Sequence, residues 1–191
     1  VLAYRISHRF GPFNSGISDF YGLDGPANVS IAFDWGFTDD LMVGIARDGF
    51  NKLYNGFVKY NILNQTNDGS MPLTLMVYGR ANINTLPNSN GPNLVEQRYD
   101  NFANRMRYIT QIMAARKFGE RLAVQVGPTW VHHNLVNLSA ESNDILGISA
   151  VVQYKFTKRL GISAEYTYIL NDYHPDADRF YNSAGLGLDI V

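Results

Sequence analysis

Apolar and polar side chains alternate along most of this chain, beginning with Leu2, Tyr4, Ile6 and Phe10 against Ala3, Arg5, Ser7 and Arg9. A period of two predicts a strand with two unlike faces. His8 is the single polar residue on the apolar side of that first segment. The pattern returns as Val29, Ile31, Phe33, Trp35 and Phe37 against Ser30, Ala32, Asp34 and Gly36, and as Leu73, Leu75 and Val77 against Thr74, Met76, Tyr78 and Arg80. A further copy sets Leu122, Val124, Val126 and Trp130 against Ala123, Gln125, Gly127 and Thr129. Two later segments set Leu146, Ile148, Ala150, Val152, Tyr154 and Phe156 against Gly147, Ser149, Gln153 and Lys155, then Leu160, Ile162, Ala164, Tyr166 and Tyr168 against Gly161, Ser163, Glu165 and Thr167. Weaker strands fall near 41 to 48, 56 to 63, 104 to 116 and 183 to 191, so about ten strands are visible and no helical period rivals them. The predicted class is all-β, in one domain spanning residues 1–191.

The connections sharpen this expectation. A pattern of Phe, three turn residues and Leu occurs as Phe37-Thr38-Asp39-Asp40-Leu41, Phe118-Gly119-Glu120-Arg121-Leu122 and Phe156-Thr157-Lys158-Arg159-Leu160. Each copy ends one strand and opens the next around a polar tip, the layout of a tight hairpin. Between them lie longer polar connections at about 11 to 25, 86 to 103, 133 to 144 and 170 to 182, so short and long connections are expected to alternate. Short turns on one side, long loops on the other and aromatic rings at the boundaries are the layout of an antiparallel up-and-down transmembrane β-barrel in a bacterial outer membrane. Hydrocarbon offers no hydrogen-bond partner, so a sheet that crosses it is expected to close on itself. On this reading residues 38–40, 119–121 and 157–159 are periplasmic.

Composition agrees by exclusion. Sixteen basic and seventeen acidic residues give a net charge of −1, no electrostatic footprint for nucleic acid. Cysteine is absent, so neither a disulfide framework nor a thiolate metal site can form. No apolar run approaches the roughly 20 residues of a spanning helix, and the N-terminus lacks the layout of a signal peptide. The aromatic content of 13%, mostly Tyr and Phe, is heavy for a soluble domain.

The second face carries Arg5, Arg9, Asp34, Lys59, Arg80, Arg107, Gln125, Gln153, Lys155, Glu165 and Asp189, the expected lumen-facing polar residues. A charge network filling a narrow barrel is the leading expectation for them, with a small, weakly selective pore as the alternative. His132 and His133 sit near the end of a strand, and His174 lies in a loop with Asp172, Asp176 and Asp178; without fixed spacing they read as solvated loop residues before a metal or Ca²⁺ site. Ser139 and Glu141 lie near His133 in sequence, too weak a signal for a catalytic site. The glycines of 16–19 and 22–26 are followed by no helix, so they form no phosphate loop. No catalytic residue, cofactor or metal is assigned.

The segments Arg5-Ile6-Ser7-His8-Arg9-Phe10-Gly11-Pro12-Phe13, Phe20-Tyr21-Gly22-Leu23-Asp24-Gly25-Pro26-Ala27-Asn28 and Leu41-Met42-Val43-Gly44-Ile45-Ala46-Arg47 resemble a domain-of-unknown-function family of β-barrel proteins from Bacteroidota. So do Phe50-Asn51-Lys52, Gly56-Phe57-Val58-Lys59-Tyr60, Ala115-Arg116-Lys117-Phe118 and Pro128-Thr129-Trp130-Val131-His132. The resemblance implies an outer-membrane barrel and carries no catalytic or binding residue across. It also implies further strands past Ile190, and Val191 is not the aromatic residue on which such barrels commonly end, so about twelve strands are expected in the intact protein. The expected role is a non-enzymatic outer-membrane barrel surrounded by lipid, a structural or accessory subunit working with other outer-membrane proteins. A porin-like pore, an outer-membrane hydrolase using His132 and His133, and a soluble lipocalin-like barrel are the rivals.

Overall fold

The structure, a computed structural model, describes residues 1–11, 15–25, 27–49, 52–87, 99, 101–136, 141–172, 174 and 182–190. Its strands are β1 (Leu2–Arg9), β2 (Asn28–Gly36), β3 (Leu41–Asp48), β4 (Leu53–Leu63), β5 (Thr74–Asn84), β6 (Met106–Phe118), β7 (Leu122–His133), β8 (Asp144–Lys155), β9 (Leu160–Ile169) and β10 (Ser183–Ile190). They form one sheet in the order of the chain, β1 to β10. Every consecutive pair is therefore a neighbour, the up-and-down arrangement that the alternation and the hairpin turns predict. β1 and β10 are the first and last strands of that order. Among the described residues the helical segments Ile17–Gly22 and Phe102–Arg105 are 3-10 turns, and no helix is long and apolar enough to cross a membrane.

Contacts divide the chain into two compact units, residues 1–58 with 80–106 and residues 59–79 with 107–191. In the first, the register Leu2↔Trp35, Tyr4↔Phe33 and Ile6↔Ile31 lines up the apolar phase of β1 and β2, and Trp35↔Val43 and Phe33↔Ile45 carry it to β3. Rings meet along it: Tyr4 and Phe33 are 5.1 Å apart, and Trp35 stacks on Phe37 at 4.3 Å. The Phe37-to-Leu41 turn closes by a bond from the Phe37 N–H to the Leu41 carbonyl at 2.9 Å. The Thr38 hydroxyl accepts from the amides of Asp40 and Leu41 at 3.2 and 2.9 Å.

β4 begins at Leu53, earlier than the expected 56, because Leu53 and Phe57 put apolar side chains on the polar phase and blur the alternation. Gly44 on β3 makes room for the intruder: a Cβ there would lie 2.3 Å from Phe57 Cε1 and 2.9 Å from Asp34 Oδ1.

In the second unit the registers Leu122↔Tyr154, Val124↔Val152 and Trp130↔Leu146 continue the apolar phase, followed by Val152↔Ala164 and Tyr154↔Ile162. The Phe156-to-Leu160 turn repeats the earlier one. Phe156 N–H donates to the Leu160 carbonyl at 2.9 Å, and the Thr157 hydroxyl accepts from the amides of Arg159 and Leu160 at 3.1 and 3.0 Å. The third copy lacks Thr and instead uses Gly119 at φ 66. Between β6 and β7 the pairing runs through Gln111↔Thr129 and resumes at Ala114↔Val126. The gap falls at Gly127-Pro128, where Pro has no N–H to give and a Cβ on Gly127 would lie 1.8 Å from the Ile112 carbonyl oxygen.

Two connections depart from the expected alternation. β3 and β4 are joined through residues 49–52 alone, on the side of the long loops, whereas β4 and β5 are joined through residues 64–73, on the side of the tight turns. The second of these is held by its own polar groups: the Thr66 N–H donates to the Met71 carbonyl at 3.0 Å, and the Asp68 carboxylate accepts from the Ser70 amide and hydroxyl. Self-bonding of that kind leaves no hydrophobic period to read. β6 likewise starts at Met106 rather than 104, after a 3-10 turn in which the Asn101 side chain accepts from the Ala103 amide at 3.0 Å.

Candidate functional site

Burial is inverted relative to a water-soluble domain. Among the described residues the buried side chains include Asp48, Asn55, Asn82 and Asn84, each at most 8% exposed, while Ile45 is 65% and Phe33 48% exposed. Within each unit, large apolar side chains facing out in register on successive strands form an apolar surface, which water penalises and hydrocarbon does not. The candidate functional surface is therefore the opposite, polar face.

In the first unit that face is a network of paired charges. Asp48, at the end of β3, accepts from Arg80 Nη2 at 2.6 Å and from Asn55 Nδ2 at 3.0 Å, while Arg80 Nε donates to Asn82 Oδ1 at 2.8 Å. Arg5 Nε donates to Asp34 Oδ2 at 3.2 Å in a far more exposed pair, with the Arg5 side chain 56% exposed. Beyond β5, Arg105 binds three carbonyls, those of Tyr99 at 3.0 Å, Asn84 at 3.1 Å and Leu86 at 2.7 Å. That clamp ties Tyr99, Asn84 and Leu86 to the start of β6.

The second unit is built more from neutral groups. Gln111 donates to the Thr129 hydroxyl at 2.9 Å, Thr129 and Ser149 hydroxyls meet at 2.8 Å, and Ser149 and Thr167 meet at 2.9 Å. This ladder crosses β6, β7, β8 and β9 at one level, and each rung contributes about 1 kcal/mol at most once competition with water is counted. Nearer the tight turns, Gln125 donates to Met113 Sδ at 3.0 Å and Gln153 to Asp189 at 3.0 Å. A chamber of about 920 Å³ opens there, lined by Lys59, Asn61, Gln125, Gln153 and Ser163 among others. Its edge is tied down by Gln65, whose side-chain amide pairs with the Lys117 backbone at 2.7 and 2.9 Å as a neighbouring strand would.

Of the eleven polar residues expected on one face, the structure brings Arg5 to Asp34, joins Gln153 to Asp189, and places Arg80 in the buried network. Lys59 and Gln125 line the chamber. Arg9 stands opposite Asn28, Arg107 opposite His133, and Lys155 opposite Gly161. Glu165 lies over Gly185, where a Cβ would meet its carboxylate at 2.8 Å. Asp48, Asn55, Asn82, Asn84 and Gln111 are absent from that expectation, whereas Thr129, Ser149 and Thr167 fall on the polar phase the alternation predicts without being singled out. The in-phase run Arg80, Asn82, Asn84 was the available signal for part of it.

The histidines do not gather. His132 and His133 are consecutive on β7, so their side chains take opposite faces. His132 joins the apolar face, where its Nδ1 lies 2.7 Å from Asp144 Oδ1, an oxygen that also accepts from Trp130 Nε1 at 2.8 Å. His174 meets Glu141 at 3.0 Å, both side chains largely buried, and so ties the β9–β10 connection to the β7–β8 connection. Among the described residues no three His, Asp or Glu side chains are grouped to hold a metal ion. Ser139, Asp176 and Asp178 lie outside the described residues.

Residues 1–191 match the family described as a membrane bound beta barrel domain (DUF5777). Among curated proteins no match to the chain is found.

Proposed function

We propose that this chain, which belongs to the DUF5777 family of membrane-bound β-barrel domains, is a non-enzymatic outer-membrane protein serving as a structural or accessory subunit of an envelope assembly. The observation that carries the reading is the way the polar face is used. Its buried charges are joined to one another, Asp48 to Arg80 and Asn55, and its hydroxyls to neighbouring strands, so these groups hold strands in register. The tight turns at 37–41, 118–122 and 156–160 face the periplasm on this reading, and lipid covers the apolar face. The test is native electrophoresis of the detergent-solubilised membrane: a stoichiometric complex with other outer-membrane proteins supports the assembly role, and a solitary species removes it.

The chamber of about 920 Å³ favours a second reading, a narrow pore for small polar solutes. Discrete conductance steps in planar bilayers support it, and silence across the voltage range removes it. A hydrolase reading predicts lipid or peptide cleavage that disappears in His132→Ala and His133→Ala. Cleavage that persists in both excludes these residues.

A further inference from the structure

The apolar face of the first unit is not smooth. Between Ile31 and Phe33 on β2, Ile45 and Arg47 on β3, and Gly56 on β4 there is a cleft of about 470 Å³, within the size range of ligand clefts. It exists because Gly56 falls on the apolar phase between Tyr54 and Val58, and the lining from β5 includes the small Ala81 beside Ile83. A Cβ placed on Gly56 would meet nothing nearer than the Gly44 carbonyl oxygen at 3.9 Å, so the space beside it is open.

At the loop end of the cleft sits Arg47, the one charged residue in the apolar column Leu41, Val43, Ile45, Arg47. Its guanidinium is held in place, 4.6 Å from the centre of the Tyr54 ring, with Nη1 donating to the carbonyls of Asp48 at 2.8 Å and Leu53 at 3.5 Å. Among the described residues these bonds use Nη1 alone, which leaves the Nε and Nη2 edge of the fork for an anion. The adjacent acid, Asp48, is on the other face and engaged by Arg80 and Asn55. Exposed Lys52, in the β3–β4 turn, adds a second positive charge at this end. An apolar furrow headed by an oriented cation matches a ligand with an acyl chain and an anionic head.

We propose that this cleft is a specific site for one anionic phospholipid of the bilayer, its phosphate on Arg47 and an acyl chain lying across Gly56. The proposal rests on the apolar face being the lipid face. Arginine suits the role because its planar fork takes phosphate oxygens in pairs and its weak hydration lets it stay near the hydrocarbon boundary.

The test is native mass spectrometry of the detergent-purified protein given phosphatidylglycerol and phosphatidylcholine in equal amounts. One phosphatidylglycerol per chain is expected, retained about tenfold over phosphatidylcholine, with retention falling about tenfold in Arg47→Gln and in Gly56→Phe. Equal retention of the two lipids, or wild-type retention by Gly56→Phe, overturns the site. Folding is checked by heat-modifiable gel mobility. Should Arg47→Gln not fold for want of its carbonyl bonds, Gly56→Phe, which fills open space, decides alone. A protein that stays monodisperse without detergent refutes the lipid-face reading itself, whereas a detergent-requiring protein without phosphatidylglycerol preference refutes only the site.

Discussion

Replacing Arg80 with Met removes the cation that faces Asp48 while keeping most of the volume. Asp48 is 8% exposed, and the pair is closed by a 2.6 Å contact. After the change Asp48 keeps only Asn55 among its described partners, and Asn82 loses the Arg80 Nε donor. Breaking one half of a buried ion pair typically costs about 3 to 5 kcal/mol; with the Arg80 side chain 26% exposed, about 3 kcal/mol is expected here. The exposed Arg5–Asp34 pair is the internal control, and Arg5→Met should cost less than about 1 kcal/mol. Equilibrium urea unfolding in phospholipid vesicles, followed by tryptophan fluorescence, reads both as shifts of the midpoint at constant slope. Adding Asp48→Leu to Arg80→Met should recover more than half of the loss, because the uncompensated charge is then gone. A cost for Arg80→Met within about 0.5 kcal/mol of that for Arg5→Met would refute the reasoning, since burial would then not govern the pair.

Gly127→Ala should destabilise by at least about 2 kcal/mol, because the new Cβ must displace the Ile112 carbonyl; the same vesicle unfolding measures it. Thr157→Ala removes the acceptor for two turn amides and should cost about 1 kcal/mol, with Thr38→Ala equal to it within error. Phe33→Arg, on the apolar face, should cost about 2 to 4 kcal/mol in a bilayer and lower the folded yield in vesicles. The Asp68 carboxyl titrates below its usual value, held down by the Thr66 hydroxyl and then by the Ser70 hydroxyl and amide. A lowered folded value means the turn's contribution is complete above about pH 4 and fades as pH falls through the folded value. Amide exchange at Ser70, corrected for intrinsic pH dependence, should therefore show constant protection from pH 5 to 8 and lose it only in acid.

Strand phase was readable because one face is so uniformly apolar that residues such as Ile31, Phe33 and Trp35 announce themselves at every second position. Turns were readable where the chain reuses one solution, Phe-Thr-x-x-Leu, at 37–41 and 156–160. Two connections were not: the turn at 64–73 is held by hydrogen bonds within itself, and the connection at 49–52 is followed in sequence by Leu53 and Phe57, which break the alternation that would have exposed it. The polar pairs were hidden for another reason. Asp48 and Arg80 are 32 residues apart, and Gln65 and Lys117 are 52 apart. Only strand register, set across several hairpins, brings them together. The cleft at Gly56 is a property of what four strands leave empty, and a missing side chain carries little signal in a linear sequence.

The two tryptophans test the membrane orientation most directly, since Trp35 and Trp130 both lie on the apolar face, 52% and 39% exposed. Their fluorescence, read in single-tryptophan variants reconstituted into vesicles of brominated phospholipid, should be strongly quenched by the lipid and weakly by aqueous acrylamide. Strong acrylamide quenching of both, with no effect of the brominated chains, would contradict a lipid-facing surface.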